Sequence, residues 1–174
     1  MTAAVQPYHL SVEEFVAFCG TDPGRYEQFE LIEGEIWEPM PESAKHADMV
    51  EAVAEALRRR YTDQVVRSHG SVQLDGDGLV LPDAYVVKPG EQLDGNYWNG
   101  RQLELAVEVS VSTWTRDTGT KLRDYARGGV ATYYVLDLDR PEREVHVFSD
   151  PRGSSYSSVE VHQVGVLLSP DGSN

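Results

Sequence analysis

Apolar and polar residues recur along this chain with two different periods, which predict helices and strands. A helical spacing of apolar residues runs from about residue 43 to residue 60, at Met49, Val50, Val53 and Leu57. A shorter helix is expected from Ser11 to Phe18, because Ser11 suits the N-cap position and Glu14 completes a capping box. A third helix is expected from Thr118 to Arg127, and the pair Gly128-Gly129 ends it.

Strand signals fill most of the remaining sequence. Two short strands flank Glu33-Gly34 within "RYEQFELIEGEIWEPM", and "QVVRSHGSVQLDG" is separated from "GLVLPDAYVV" by the turn residues 75–78. After the loop "KPGEQLDGNYWNGRQ" come "LELAVEV", "ATYYVLDLD", "REVHVFSD" and "SYSSVEVHQV". This order predicts one mixed α/β (α+β) domain over residues 1–174, with a central mixed β-sheet flanked by helices and a polar C-terminal tail.

Two of the predicted strands carry a carboxylate among apolar residues. Alternation in "LELAVEV" puts Glu108 on one face with Ala106 and Glu104, and the other face holds Leu103, Leu105, Val107 and Val109. In "LVLPDAYVV", Asp83 shares a face with Leu81 and Tyr85, and Pro82 indicates a distortion or a sheet edge.

If these two strands are neighbours, the carboxylates of Asp83 and Glu108 meet. Two close carboxylates repel each other unless a proton or a cation lies between them. Mg²⁺ commonly uses one or two carboxylates together with waters and phosphate oxygens. The alternative is an ordinary ion pair or an exposed strand edge.

The predicted helix that follows the strand "LELAVEV" carries a lysine beside its apolar stripe. Helical spacing groups Lys121 with Thr118, Leu122 and Tyr125. Lysine is scarce here, with three lysines beside twelve arginines, so a position that keeps lysine favours a compact ammonium. The alternative is a surface pair between Lys121 and Asp117, worth about 0.3–0.5 kcal/mol.

Composition narrows the possible settings and partners. The net charge is −14, which repels nucleic acid on average and lowers the expectation of tight DNA binding by the bare domain. Cys19 is the only cysteine, which excludes an internal disulfide. No apolar run approaches the roughly 20 residues that span a bilayer. No secretory signal is visible, so we expect a cytoplasmic protein that does not act on membranes.

An ordered set of motifs resembles one known family. "FELIEGEIWEPMPESAKH", "LPDAYVV", "AVEVSVST" and "RDTGTKLRDYARGGVATYYVLD" are similar to the family labelled "putative restriction endonuclease" within the PD-(D/E)XK nuclease superfamily. In that superfamily the lysine usually lies two residues after the glutamate, where this chain has Ser110. The resemblance implies that Lys121 supplies the ammonium instead, as in this family, and that the core is restriction-endonuclease-like.

The resemblance also implies a chemistry and a set of roles. Asp83 and Glu108 would hold Mg²⁺, or Mn²⁺ in its place, with the Val109 backbone carbonyl as a further ligand. Lys121 would orient the attacking water or stabilise charge on the phosphate in DNA. Supporting roles fall to Glu30, His46 and Tyr125, for which solvated surface, helix capping and core packing are the respective alternatives.

Two hypotheses about function remain at this stage. The first is a metal-dependent endonuclease that cuts DNA and, as in many nucleases of this class, forms a homodimer. The second is a nuclease-like fold without catalysis that works as a binding or assembly module. The net charge of −14 favours the second, whereas the ordered presence of Asp83, Glu108 and Lys121 favours the first.

Overall fold

The computed structural model of the protein describes residues 7–26, 28–39, 41–75, 78–141 and 143–169. The helices are α1 (Val12–Cys19), α2 (Pro23–Tyr26), α3 (Ala44–Arg60), α4 (Trp114–Asp117), α5 (Thr120–Arg127) and α6 (Val164–Leu168). The strands are β1 (Glu30–Ile32), β2 (Glu35–Trp37), β3 (Val66–Ser68), β4 (Val72–Leu74), β5 (Gly78–Val80), β6 (Ala84–Val87), β7 (Trp98–Asn99), β8 (Leu103–Ser110), β9 (Thr132–Asp137), β10 (Glu144–Arg152) and β11 (Ser155–Gln163). The predicted turn residues Gly76 and Asp77, and the polar tail from residue 170 onward, lie outside the described residues.

The strands form two mixed sheets instead of the single central sheet that was expected. The smaller sheet has the order β2-β1-β5-β4-β7, and the larger has the order β11-β10-β9-β8-β6-β3. Each contains one parallel pair, β4 with β7 and β8 with β9, among antiparallel neighbours. The predicted mixed α/β class, with helices flanking mixed sheets, is confirmed.

The second sheet arises because two segments that read as single strands are broken. "QVVRSHGSVQLDG" separates into β3 and β4 at His69 and Gly70, whose φ angles are 61° and 119°. "GLVLPDAYVV" separates into β5 and β6 around Pro82, which has no N–H to donate to a ladder. At both breaks the chain passes from one sheet to the other. Asp83 therefore lies at the junction of the two sheets, just before β6.

The helix signals hold, with one change at α4 and α5. Ser11 caps α1, and Glu14 Oε2 accepts a 2.9 Å hydrogen bond from the Ser11 N–H, as the capping box predicted. Ser43 caps α3 by accepting from the His46 N–H. The helix expected from Thr118 begins at Thr120, and the short helix α4 precedes it.

The apolar residues pack into three clusters that hold the sheets and helices together. The first lies between α3 and the larger sheet and includes Val53, Leu57, Leu105, Val107 and Val109. The second joins both sheets and α5, and the third lies under α1. Leu103 belongs to the second cluster with Ala106, not to the face of Leu105, because the β6–β8 register shifts opposite Val86 and Val87. Among the described residues, none of the helices has the length and apolar character needed to cross a bilayer.

Candidate active site

Charged side chains from both sheets, α3, α4 and α5 converge on one cavity of about 400 Å³, called here the charged cavity. Its lining includes six of the seven residues that the sequence nominated: Glu30, His46, Asp83, Glu108, Val109 and Lys121. The seventh, Tyr125, is fully buried beneath it and donates its hydroxyl to Glu108 Oε1 at 2.7 Å. The sequence therefore identified residues that are distant in the chain and adjacent in space.

Asp83 and Glu108 face each other because β6 and β8 are antiparallel neighbours. The register pairs Ala84 with Val107, which places residue 83 opposite residue 108. Asp83 Oδ2 accepts a 2.6 Å hydrogen bond from the Val109 N–H. The side chain of Asp83 thus replaces the ladder partner that the interrupted strand lacks at this point.

Lys121 lies between two buried glutamates. Its Nζ is 2.9 Å from Glu108 Oε1 and 2.9 Å from Glu30 Oε1. Glu30 Oε1 also accepts from the Leu81 N–H at 2.8 Å. The alternative pairing of Lys121 with Asp117 is wrong, because the ion-pair partner of Asp117 is Arg116. An ammonium has three donors, so one N–H of Lys121 remains when one points to each glutamate.

Burial changes the protonation of this cluster. Desolvation raises the pKa of Glu108 to about 8, against the lowering effect of the Lys121 ammonium, and the nearby carboxylates of Asp83 and Glu30 raise it further. Burial opposes the charge on Lys121, but the carboxylates of Glu108 and Glu30 outweigh it and raise the pKa of Lys121. The lysine therefore stays protonated, whereas Glu108 is the group whose charge is costly.

His46 supplies a second positive charge at the cavity. Its Nε2 lies 3.3 Å from Asp83 Oδ2 and its Nδ1 lies 2.7 Å from Glu42 Oε1. The hydrogen bond to Asp83 raises the pKa of His46 to about 9, although burial acts in the opposite direction. The ring is therefore protonated at neutral pH and donates from both nitrogens. The capping role belongs to Ser43, and the imidazole of His46 faces the carboxylate.

The structure adds cavity residues that sequence reasoning did not select. Arg116 lines the cavity and its Nε lies 3.3 Å from the buried carboxylate of Asp117. Asp117 also accepts from the Thr113 hydroxyl. His69 and Ser112 line the cavity with positive φ angles of 61° and 66°. Of these residues, only Arg116 had a signal in the sequence, since it precedes the aspartate of the matched motif. Backbone strain at His69 cannot be predicted from a sequence.

The donor set of the cavity fits a small hard cation. Within the described residues, Glu108 Oε2 and Asp83 Oδ1 have no hydrogen-bond donor, since the bonds to these carboxylates go to Oε1 and Oδ2. The Val109 N–H bonds the side chain of Asp83 instead of a ladder partner on β6. The Val109 carbonyl points to the same side of its strand as that N–H.

No trio of His, Cys, Asp or Glu side chains in the described part of the chain is arranged around a metal position. Two carboxylates and a carbonyl still suit Mg²⁺, which keeps several waters and takes the rest of its ligands from substrate phosphate. The residues present are therefore compatible with the metal that the motif resemblance implies, which Asp83, Glu108 and the Val109 carbonyl would hold.

Comparisons with known proteins agree with this fold. The chain is similar to the crystal structure of a putative nuclease belonging to DUF820 from Anabaena variabilis, with a TM-score of 0.66 and 18% sequence identity over 88% of this chain and 84% of that chain. Among curated proteins, no sequence matches the chain. The model of one family, Uma2, described as "Putative restriction endonuclease", matches residues 12–173. The chain belongs to this Uma2 family of restriction-endonuclease-like proteins.

Proposed function

We propose that this protein is a metal-dependent endonuclease that hydrolyses phosphodiester bonds in DNA at the charged cavity. The family supports a nuclease function in general, and the fold of the chain is compatible with it. The observation that carries the finer proposal is the meeting of Asp83, Glu108 and Lys121, from three segments distant in the chain, at one cavity, with one oxygen of each carboxylate not hydrogen-bonded within the described residues.

Each chain residue has a role that its contacts support. A bound Mg²⁺ or Mn²⁺ would polarise the scissile phosphate and lower the pKa of a bound water. Lys121 holds Glu108 in place and directs its remaining N–H toward the attacking water or the charge that develops on the phosphate. Tyr125 fixes the rotamer of Glu108 from below, and Glu30 fixes Lys121 from the side. His46 holds the Asp83 carboxylate by a charge-assisted contact.

The strongly acidic chain limits how the substrate is bound. A net charge of −14 provides little general attraction for phosphates, so we expect DNA binding to depend on the metal and on the cations at the cavity. Those cations are Lys121, His46 and Arg116. That the protein is cytoplasmic and that it forms a homodimer remain predictions.

A binding module without catalysis is the second candidate function. The observation that favours it is the ion pair of Lys121 with Glu30 and Glu108, which gives both carboxylates a cationic partner within the protein itself. Under this alternative the cavity is a stabilised polar core, and phosphodiester cleavage does not occur at any metal concentration.

A cleavage assay separates the two candidates. Purified protein is incubated with DNA and Mg²⁺ or Mn²⁺, and compared with Asp83→Asn and with the matched control Asp63→Asn, an exposed aspartate outside the cavity. The endonuclease proposal expects cleavage by the wild type and by Asp63→Asn, and none by Asp83→Asn at equal thermal stability. Absence of cleavage by the wild type on every substrate supports the module instead.

A further inference from the structure

A second cavity of about 360 Å³ lies between α1, α2 and one end of the smaller sheet. It is called here the aromatic cleft, and its walls include Phe15, Tyr26, Phe29 and Tyr97, with Cys19, Ser71 and Leu79 between them. None of the described residues that line it is charged. Its volume falls in the lower part of the roughly 300–1,000 Å³ range of small-ligand sites. The cleft therefore suits a flat, uncharged group.

The aromatic cleft and the charged cavity are neighbours across one row of residues. In the smaller sheet, β1 pairs with β5, β5 with β4, and β4 with β7. When each register is continued by one or two residues, a single row crosses the sheet end through Phe29, Leu81, Ser71 and Tyr97. Leu81 lines the charged cavity, whereas the other three line the aromatic cleft.

Three chain segments cross from one cavity to the other within two residues. The charged cavity is lined by Gln28, His69 and Leu81. Their near neighbours in the chain, Phe29, Ser71 and Leu79, line the aromatic cleft. Residues two apart in a strand are separated by roughly 6.6 Å, and paired strands by roughly 4.8 Å. The two cavities therefore share a wall in which the residues that line one cavity lie roughly 5–7 Å along the backbone or across the sheet from those that line the other.

The rim of the cleft offers groups that recognise the edge of a base. Within the described part of the chain, the hydroxyls of Ser71, Tyr26 and Tyr97 make no hydrogen bond to the protein, and none of the three is a buried unsatisfied atom. Beside the cleft, the guanidinium carbon of Arg25 lies 5.2 Å from the centroid of the Tyr26 ring. Aromatic side chains on which a base can stack, with a contribution from a neighbouring arginine, are features that proteins use to bind single strands.

We infer that the aromatic cleft binds one unpaired nucleobase of the strand whose phosphate lies in the charged cavity, so that the substrate is single-stranded or locally unpaired nucleic acid. This inference rests on the proposed function, because it takes the scissile phosphate to lie at Asp83 and Glu108. A base within a duplex is stacked and paired and cannot enter the cleft without leaving the helix.

The test measures binding, which does not require catalysis. Fluorescence anisotropy follows a labelled oligodeoxythymidine strand and, separately, its duplex with oligodeoxyadenosine, with and without Mg²⁺, and a denaturing gel checks that each strand stays intact. We expect the single strand to bind at least about tenfold more tightly than the duplex.

Variants assign that preference to the cleft. Tyr97→Ala and Tyr26→Ala are each expected to weaken single-strand binding about 5- to 150-fold, the range for loss of one base-stacking contact. Tyr8→Ala is the matched control, because Tyr8 is 73% exposed and lies outside the cleft. Circular dichroism confirms that each variant is folded.

Abasic strands provide a test on the wild-type protein alone, so that misfolding of a variant cannot decide the outcome. An abasic position is moved stepwise along the strand. The inference expects one position to weaken wild-type binding. In a separate comparison, the abasic change at that position should have no further effect on binding by Tyr97→Ala, because both changes remove the same contact.

The outcomes separate this inference from the proposed function. Cleavage of duplex and single strand at equal rates, with binding unaffected by Tyr97→Ala, overturns the cleft inference and leaves the endonuclease proposal standing. Tyr97-dependent single-strand binding without cleavage on any substrate keeps the cleft and removes the endonuclease proposal.

Discussion

Two ion pairs of nearly equal length stand in opposite environments in this molecule. Lys121 Nζ lies 2.9 Å from Glu108 Oε1, and the side chains are 2% and 6% exposed. On α3, Arg59 Nη1 lies 2.8 Å from Glu55 Oε1, and the side chains are 44% and 66% exposed. Water screens the second pair almost completely, whereas the first pair has lost its hydration and depends on its partners. Equal distances therefore hide very different energies.

The difference indicates that the buried pair is kept for a chemical function and not for stability alone. A hydrophobic pair of similar volume is often as stable as a buried ion pair, or more so, so stability alone does not account for Glu30, Glu108 and Lys121 together. The cluster also lies at a cavity wall, and the hydrogen bonds to Glu108 from the described residues go to one of its oxygens. Charge that is buried next to an opening is what a metal-assisted hydrolytic site needs.

The largest effect is expected from Lys121→Met. The change leaves two buried glutamates without their cation, and breaking such a pair typically lowers the free energy of unfolding by about 3–5 kcal/mol. Because the pKa of Glu108 is already raised to about 8 in the folded protein, protonation relieves the repulsion at low pH. Urea denaturation should therefore show a larger loss at about pH 8 than at about pH 5.

The matched control for this change is Lys88→Met, whose ammonium donates to the Arg101 carbonyl at the surface. It should alter the free energy of unfolding by less than about 1 kcal/mol. If Lys121→Met lowers the free energy of unfolding no more than Lys88→Met does, the buried cluster contributes no more to stability than a surface contact, which would contradict the account.

Glu108→Gln should separate stability from activity. The amide keeps the shape of the side chain and its oxygen still accepts from Tyr125 and Lys121, so the protein stays folded with a small change in stability. The negative charge that holds the metal is gone, and we expect cleavage to fall at least about 100-fold. Glu13→Gln, an exposed change on α1, is the control in the same assay. Full activity of Glu108→Gln would remove this residue from the site.

The affinity for Mg²⁺ should depend on pH with a definite sign. In the metal-free protein the carboxyl of Glu108 has a pKa of about 8, so below that pH a bound proton must leave before the metal binds. Affinity should rise from about pH 6 to about pH 8, with a slope approaching tenfold per pH unit for one released proton. Calorimetry in buffers of different ionisation enthalpy counts that proton. A flat profile across this interval would contradict the raised pKa.

The smallest effect belongs to the exposed pair. Arg59→Ala removes the contact with Glu55 on α3, and we expect a loss of about 0.3–0.5 kcal/mol in the free energy of unfolding. Added salt should erase most of that difference, because exposed charges are screened. A loss near that of Lys121→Met would show that burial is not what distinguishes the two pairs.

Part of the site could be predicted from local signals in the sequence, and the remaining candidate residues were implied by the family resemblance. A glutamate inside an apolar strand and a lysine on an apolar helix stripe mark Glu108 and Lys121 without any knowledge of the fold. Pro82 was also informative, since its missing N–H marked the distortion at which Asp83 sits. The capping box of Ser11 and Glu14 and the pair Gly128-Gly129 predicted helix ends for the same reason.

The rest depends on contacts between distant parts of the chain. The pairing of Glu30 with Lys121 joins residues that no local pattern connects. The two-sheet architecture follows from breaks at His69 and Pro82, and a histidine in a left-handed conformation gives no advance signal. The aromatic cleft was equally hidden, because α1, α2 and the row through Ser71 and Tyr97 meet only in the folded protein.

The central claim is that Asp83 and Glu108 form a metal site, and calorimetric titration with Mg²⁺ tests it most directly. The account predicts one site per chain in the wild type and in the exposed control Asp63→Asn, and no binding in Asp83→Asn or Glu108→Gln at unchanged fold. Addition of a non-cleavable phosphodiester strand should tighten the wild-type site, since substrate oxygens complete the coordination. Equal Mg²⁺ binding by all four proteins, with and without the strand, would contradict the claim.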